Sequence, residues 1–220
     1  MNHLRLQILD QTTCERLLER LANEAEWQDG SITAGSHAKE GKRNAQLHYE
    51  SPLRKEIHEL IECAMWNHPA VKGFCLPRKL HRFLVTKTER DGGYDSHVDN
   101  AYMSSGRSDL SFTLSLTDDT KYEGGELEID SISESFPIKL KQGEIVIYPS
   151  TSMHRVCTVT TGVRTVCVGW IESYVKGESD RICLFQLESG ARAMLAKHGR
   201  SDELDLIFLA YTNLLRRLGS

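Results

Sequence analysis

The stretch GEIVIYPSTSMHRVCTVTTGVRTVCVGWIES, from Gly143 to Ser173, decides the fold class. It contains three runs rich in valine and isoleucine: GEIVIYPS, HRVCTVT and VRTVCVGWIES. β-branched side chains are stiff at χ1 and suit a pleated strand better than a helix. Gln142-Gly143 precedes the first run, Pro149 ends it, and Thr161-Gly162 precedes the third, all of them turn signals. Strands this short and this closely spaced pair antiparallel, because a parallel pair needs a long crossover.

The same texture extends back to about Lys79. LHRFLVTKTE, SFTLSLTDD, GELEID and FPIKL are further short strands, with Asp91-Gly92-Gly93 and Gly124-Gly125 as turns between them. The pattern predicts an antiparallel sandwich or barrel. The flanks are helical. QILDQTTCERLLERLANEAEW carries Leu17, Leu18, Leu21 and Ala22 at helical spacing, with Asp10 or Thr12 as cap. SPLRKEIHELIECAMWNHPAV places Pro52 in the first turn of a second helix. DGSITAGSHAKEGKRN between them reads as a polar loop. RICLFQLESGARAMLAKHG and DELDLIFLAYTNLLRRLG are amphipathic, each closed by a glycine. The expected organisation is a helical and loop region over 1–78, a β core over 79–175 and a helical segment over 176–220. The last segment would either cover the barrel or form a homodimer face.

Composition narrows the function. Apolar residues make up 40% and charged residues 26%, an ordinary globular balance. The net charge of −4 includes no basic excess that would argue for nucleic acid. No apolar run approaches the roughly 20 residues that span a membrane, and the N-terminal residues lack a signal-peptide pattern. These features predict a cytoplasmic protein. Its six cysteines include no CxxC pair, so they read as free thiols, Cys157 and Cys167 as buried hydrophobes.

Chemistry concentrates in GGYDSHVDNAYM, Gly92 to Met103. Residues two apart in a strand share a face, so His97 and Asp99 converge if this segment is extended. Imidazole and carboxylate together begin a facial triad for non-haem Fe(II), which needs one more ligand. His154, opening a strand after GEIVIYPSTSM, is the best-placed candidate. Arg164 interrupts the apolar strand that follows, flanked by Val163, Val166 and Val168. A guanidinium inside a barrel is costly unless it meets an anion, and its planar fork suits a carboxylate. His58, His68 and His198 fall in or beside helical patterns and read as bystanders.

This arrangement closely resembles the Fe(II)- and 2-oxoglutarate-dependent dioxygenases of the prolyl 4-hydroxylase-like group, and within them the bacterial PKHD-type hydroxylases. The resemblance runs through EWQDGSITAGSHA, GYDSHVDNAYM, YEGGELEI, LKQGEIVIYPSTSMHRVCTVTTGVR and the tail WIES, LFQLE and YTNLLRRLG. It implies a double-stranded β-helix, a jelly-roll-like core with flanking helices. It implies that His97, Asp99 and His154 hold Fe(II) and that Arg164 holds the distal carboxylate of 2-oxoglutarate. Tyr94, Asn100 and Ser115 would lie near the site. The implied reaction consumes O2 and 2-oxoglutarate, releases succinate and CO2, and hydroxylates a small molecule or peptide, with L-ascorbate as reductant. Where relatives commonly carry an Asn-Arg-Tyr-like stretch, this chain has Thr86, Lys87 or Thr88. The alternative from another class is a cupin-like metal-binding or sensing module without turnover.

Overall fold

Alternation governs which way each residue of the long strands faces, and in the computed structural model it separates a helix-covered core from a polar interior. The structure describes residues 3–33, 39–81, 83–130 and 135–220; residues 34–38 of the polar loop and of EWQDGSITAGSHA fall outside them. The described chain opens with strand β1 (Leu4–Gln7) and helix α1 (Gln11–Glu24). Short strands β2 (Trp27–Asp29), β3 (Lys42–Arg43) and β4 (Ala45–Leu47) lead to helices α2 (Pro52–Asn67) and α3 (Pro69–Cys75). Then come β5 (Pro77–Leu80), β6 (Leu84–Thr88), β7 (Gly93–His97), β8 (Tyr102–Met103), β9 (Gly106–Arg107) and β10 (Leu110–Ser115). They are followed by β11 (Tyr122–Gly124), β12 (Leu127–Asp130), β13 (Ser135–Ile138), β14 (Glu144–Pro149), β15 (His154–Val156), β16 (Val159–Gly162) and β17 (Arg164–Ser173). Helices α4 (Glu178–His198) and α5 (Asp202–Leu218) end the chain.

The major sheet runs β1-β14-β10-β17-β6-β4-β2, with β5 also on β17; the minor sheet runs β13-β12-β15-β7-β3. The pairings are antiparallel. On β10, Leu110, Phe112 and Leu114 join the apolar core formed with α1, α2 and α3, which also takes Ile145 and Ile147 of β14 and Cys167 of β17. The opposite face of β10 carries Ser111 and Thr113, which line a cavity. Val146 and Tyr148 on the other face of β14 pack with Leu127 and Ile138 of the minor sheet. Each fully buried Leu, Ile or Phe contributes about 1.5–3 kcal/mol, so the helix-covered face supplies most of the hydrophobic stabilisation. The architecture is the expected double-stranded β-helix with flanking helices.

The flanks depart from the reading in three places. Gln7 belongs to β1, whose LRLQ alternates half-buried and exposed and pairs with β14. The helix starts at Gln11, with the Asp10 carboxylate accepting from the Thr13 N–H at 2.7 Å. The second helix breaks at His68, because a residue before proline disfavours the α region; Pro69 then starts α3. The first 78 residues are also more than helix and loop. They give β1, β2 and β4 to the major sheet and β3 to the minor one. These strands are too short, or too polar, to show a period. Helices α4 and α5 pack over Leu76 and Val175 at the exit of β17, away from the cavity walls. Cys167 is fully buried as expected, whereas Cys157 is only half-buried and its thiol donates to Glu128.

Gly169 on β17 sits between two rings of the core. A Cβ there would meet Phe112 Cε1 and Phe83 Cβ, both at 2.6 Å. Gly169→Ala is expected to destabilise the protein by about 1–3 kcal/mol through overpacking. Urea denaturation would show this as a lower midpoint with an unchanged slope, and an unchanged midpoint would refute it.

Candidate metal centre

β7 ends at His97 and β15 begins at His154, and the two residues face each other in register. Their rings lie 4.3 Å apart at 51°. Asp99, two residues beyond the strand end, turns its carboxylate toward them, with Oδ2 3.8 Å from His154 Nε2. One ligand atom from each of His97, Asp99 and His154 lies within 4.8 Å of the others. The structure therefore brings together the three residues singled out from the sequence.

The backbone fixes both imidazoles in one tautomer. His97 Nδ1 donates to the Asp95 carbonyl at 2.8 Å, and His154 Nδ1 donates to the Ser152 carbonyl at 3.0 Å. Each carbonyl is two residues before its histidine, and each bond leaves Nε2 as the lone-pair nitrogen. Burial, with the adjacent His154 as the next cause, pushes His97 down to about 4. A neutral imidazole is the form that ligates a metal. Tyr94 lies against the His97 ring at 3.7 Å, and Tyr148 meets the His154 ring at 5.2 Å.

The carboxylate has its own support, which the sequence did not reveal. Ser111 Oγ donates to Asp99 Oδ2 at 2.6 Å. Ser150 Oγ lies 2.8 Å from Ser111, and Ser108 Oγ donates to Ser150 at 2.8 Å. Two imidazole nitrogens and one oriented carboxylate, half-buried or buried and open to a cavity, fit Fe(II) with positions left for other ligands.

The cavity measures about 820 Å³ and is lined by the triad, Arg164, Thr86 and Thr88, among others. Arg164, 5% exposed, projects inward from the start of β17. Burial lowers its pKa, opposed chiefly by the phenols of Tyr122 and Tyr148 and more weakly by Glu126. Of these the Tyr122 phenol acts most strongly, favouring the charged guanidinium. Gly125, at φ +69°, makes room for this pair: a Cβ there would come within 2.9 Å of Arg164 Cδ. Arg164 forms no ion pair among the described residues, so it meets the cavity as a buried, incompletely neutralised cation.

The remaining positions sort by strand face. Thr86 and Thr88 face the cavity, whereas Lys87 points outward to Glu89 and the Trp27 ring. Asn100 is exposed on the cavity rim. Ser115 is not part of the site: its hydroxyl donates to the Thr117 carbonyl. It lies four residues along β10 from Ser111, roughly 13 Å at strand rise. His58 stacks on Phe83 outside the cavity, and His198 is exposed at the end of α4. His81 is on the cavity wall, but both its ring nitrogens are engaged, by Ser105 Oγ and the Arg107 carbonyl.

His97→Ala, Asp99→Ala and His154→Ala are each expected to lose stoichiometric Fe(II) in anaerobic loading followed by metal analysis. Ser111→Ala should weaken metal binding by about 10–100-fold, the usual effect of losing a group that orients a ligand. His58→Ala, His68→Ala and His198→Ala should bind metal as the wild type does. Full iron in any of the first three would remove that residue from the centre.

Comparison with known proteins follows this geometry. The family model of the 2OG-Fe(II) oxygenase superfamily matches residues 81–172, which include all three triad residues and Arg164. A PKHD-type hydroxylase of Synechococcus sp. (strain CC9311) is 86% identical over 219 residues, covering 100% of both chains. Among solved structures, the prolyl hydroxylase from Trichoplax adhaerens, in complex with a hypoxia inducible factor peptide fragment, aligns with a TM-score of 0.57 at 11% identity. That alignment covers 83% of this chain and 86% of the other. The viral collagen prolyl hydroxylase of Paramecium Bursaria Chlorella virus-1, in its 2OG complex, gives 0.52 at 13% identity, covering 79% and 97%. Similarity at these identities speaks for the fold, and full-length identity to the curated relative speaks for the family. The chain belongs to the PKHD-type hydroxylases of the 2OG-Fe(II) oxygenase superfamily.

Proposed function

We propose that the protein uses Fe(II), O2 and 2-oxoglutarate to hydroxylate a substrate, releasing succinate and CO2. The observation that carries this reading is the pairing of the His97, Asp99 and His154 ligand atoms with a buried, incompletely neutralised Arg164 on the same cavity. Iron held by the triad would supply oxygen activation, the step for which protein side chains have no equivalent.

The chain's own residues do the positioning. His97 and His154 present Nε2 because their Nδ1 protons are committed to backbone carbonyls. Ser111 fixes the plane of the Asp99 carboxylate. Arg164 offers a planar fork to the distal carboxylate of the cosubstrate, with the Tyr122 hydroxyl at its side. Thr86 and Thr88 line the same cavity. The Phe83, Val85 and Phe112 layer behind this wall keeps water from the back of the sheet.

Removing one partner of a buried charge pair costs roughly 2–5 kcal/mol. Arg164→Ala should therefore weaken 2-oxoglutarate binding about thirty-fold or more, while Fe(II) affinity stays close to wild type. Arg164→Lys should recover part of the loss, since an ammonium lacks the fork. Titrating 2-oxoglutarate into the anaerobic Fe(II) protein and following its charge-transfer band gives the affinities. Equal affinities in wild type and Arg164→Ala would end the cosubstrate role. A metal-binding module without turnover would bind the metal but release no succinate with any substrate.

A further inference from the structure

Lys42, on β3, is a buried cation that neither the triad nor the cosubstrate uses. It is 8% exposed and lines the cavity. Its Nζ donates to Thr33 Oγ1 at 3.0 Å and lies 5.1 Å from the centroid of the Tyr94 ring. Among the described residues it has no carboxylate within ion-pair distance; Asp99 and Asp29 act on it only through the longer-range field. An ammonium has three donors, and one is used here. A buried charge left this incomplete is costly unless a ligand completes it.

The surroundings of Lys42 are also incompletely paired. The hydroxyl of Thr33, which accepts from Lys42, donates onward to Gln46 Oε1 at 2.9 Å. Gln46 Nε2, on a residue with no exposed surface, has no partner among the described residues, and neither does Asn44 Oδ1 on the cavity wall. Lys42 and Asn44 are two apart, so both can face the cavity from one short extended segment.

Lys42 and Arg164 sit in different electrostatic surroundings. Lys42 feels Asp99 and Asp29, whereas Arg164 feels Tyr122, Tyr148 and Glu126. Tyr94 stands between Lys42 and the His97 ring, touching the field of one and the face of the other. A group bound at Lys42 is therefore about one aromatic ring from the metal ligands.

We propose that Lys42 anchors a carboxylate of the primary substrate, so that the enzyme hydroxylates a carbon a few bonds from that carboxylate. This rests on the dioxygenase reading above. A lone ammonium matches a monoanionic carboxylate better than a phosphate, which usually collects several cationic donors. Burial lowers Lys42 to about 8, which leaves it mostly protonated at neutral pH. The carboxylate can belong to a small molecule or to an acidic side chain of a peptide.

The test uses the full-length protein loaded with Zn(II) and saturated with 2-oxoglutarate, titrated calorimetrically with matched acid and amide probes. Hippurate against hippuramide is the small-molecule arm. Acetyl-Gly-Glu-Gly-amide against acetyl-Gly-Gln-Gly-amide is the peptide arm. In at least one arm the acid should bind about tenfold more tightly than its amide, the range of one charge-assisted hydrogen bond. Lys42→Met should erase that preference, Lys42→Arg should keep most of it, and both should hold 2-oxoglutarate with near wild-type affinity. The arm that shows the preference identifies the source of the carboxylate. Three results would overturn the proposal: no acid preference in either arm, a preference that survives in Lys42→Met, or a large loss of 2-oxoglutarate affinity in Lys42→Met. A purely structural Lys42 would lower the melting temperature of Lys42→Met and leave acid and amide binding alike in the wild type. The Arg164→Ala titration tests the dioxygenase reading separately, so the two failures are distinguishable.

Discussion

The structure depends on one constraint: the long strands of the major sheet must satisfy two different solvents at once. Odd and even residues of a strand face opposite sides, and here one side meets helices and the other meets a polar cavity. In LSFTLS the leucines and phenylalanine go to the helices and the hydroxyls go inward. In RTVCVGWIES, Cys167 and Ile171 enter the helix-covered core while Arg164, Val168 and Trp170 reach the cavity. A slip of one residue would send Arg164 into the apolar core and the core residues into the cavity, so register here is set by strong penalties on both faces.

The centre inherits its precision from that register. His97 and His154 come from two strands of the minor sheet, and their opposition is a property of strand pairing rather than of either histidine. Asp99 lies outside the strand and is instead held from the major sheet, through Ser111 on β10 and Ser150 just past β14. The ligand set thus spans both sheets. The Ser111–Asp99 contact ties the layers together, and the Ser150 and Ser108 hydroxyls brace it from the major sheet.

Much of this was legible because the decisive residues break a local pattern. His97 and Asp99 stand after a glycine turn, His154 opens a strand, and Arg164 is a charge in an apolar run. The family resemblance then tied these features together. The residues that escaped notice break no pattern. Ser111 is an ordinary inward-facing hydroxyl whose role depends on β14 and on a residue twelve positions earlier. Ser115 has the same residue type and the same strand face, and only its distance along β10 excludes it. Lys42 lies in a polar, glycine-containing stretch that shows no period, and its burial comes from pairing with β7. Tyr122 was visible in YEGGELEI, but its approach to Arg164 requires the fold. Strand β1 was missed because four residues of alternation precede a much stronger helical signal.

The hydroxyls of Ser108, Ser150 and Ser111 can be ordered in only one sense. Ser111 spends its proton on Asp99 and Ser108 spends its own on Ser150, so Ser150 must donate to Ser111. All three O–H dipoles then point the same way, toward the negative end, and each polarises the next. The chain of donors ends on Asp99 Oδ2, an acceptor reached from hydroxyls on and beside two paired strands, β10 and β14. The orientation of one ligand is thereby written into the inner face of the major sheet.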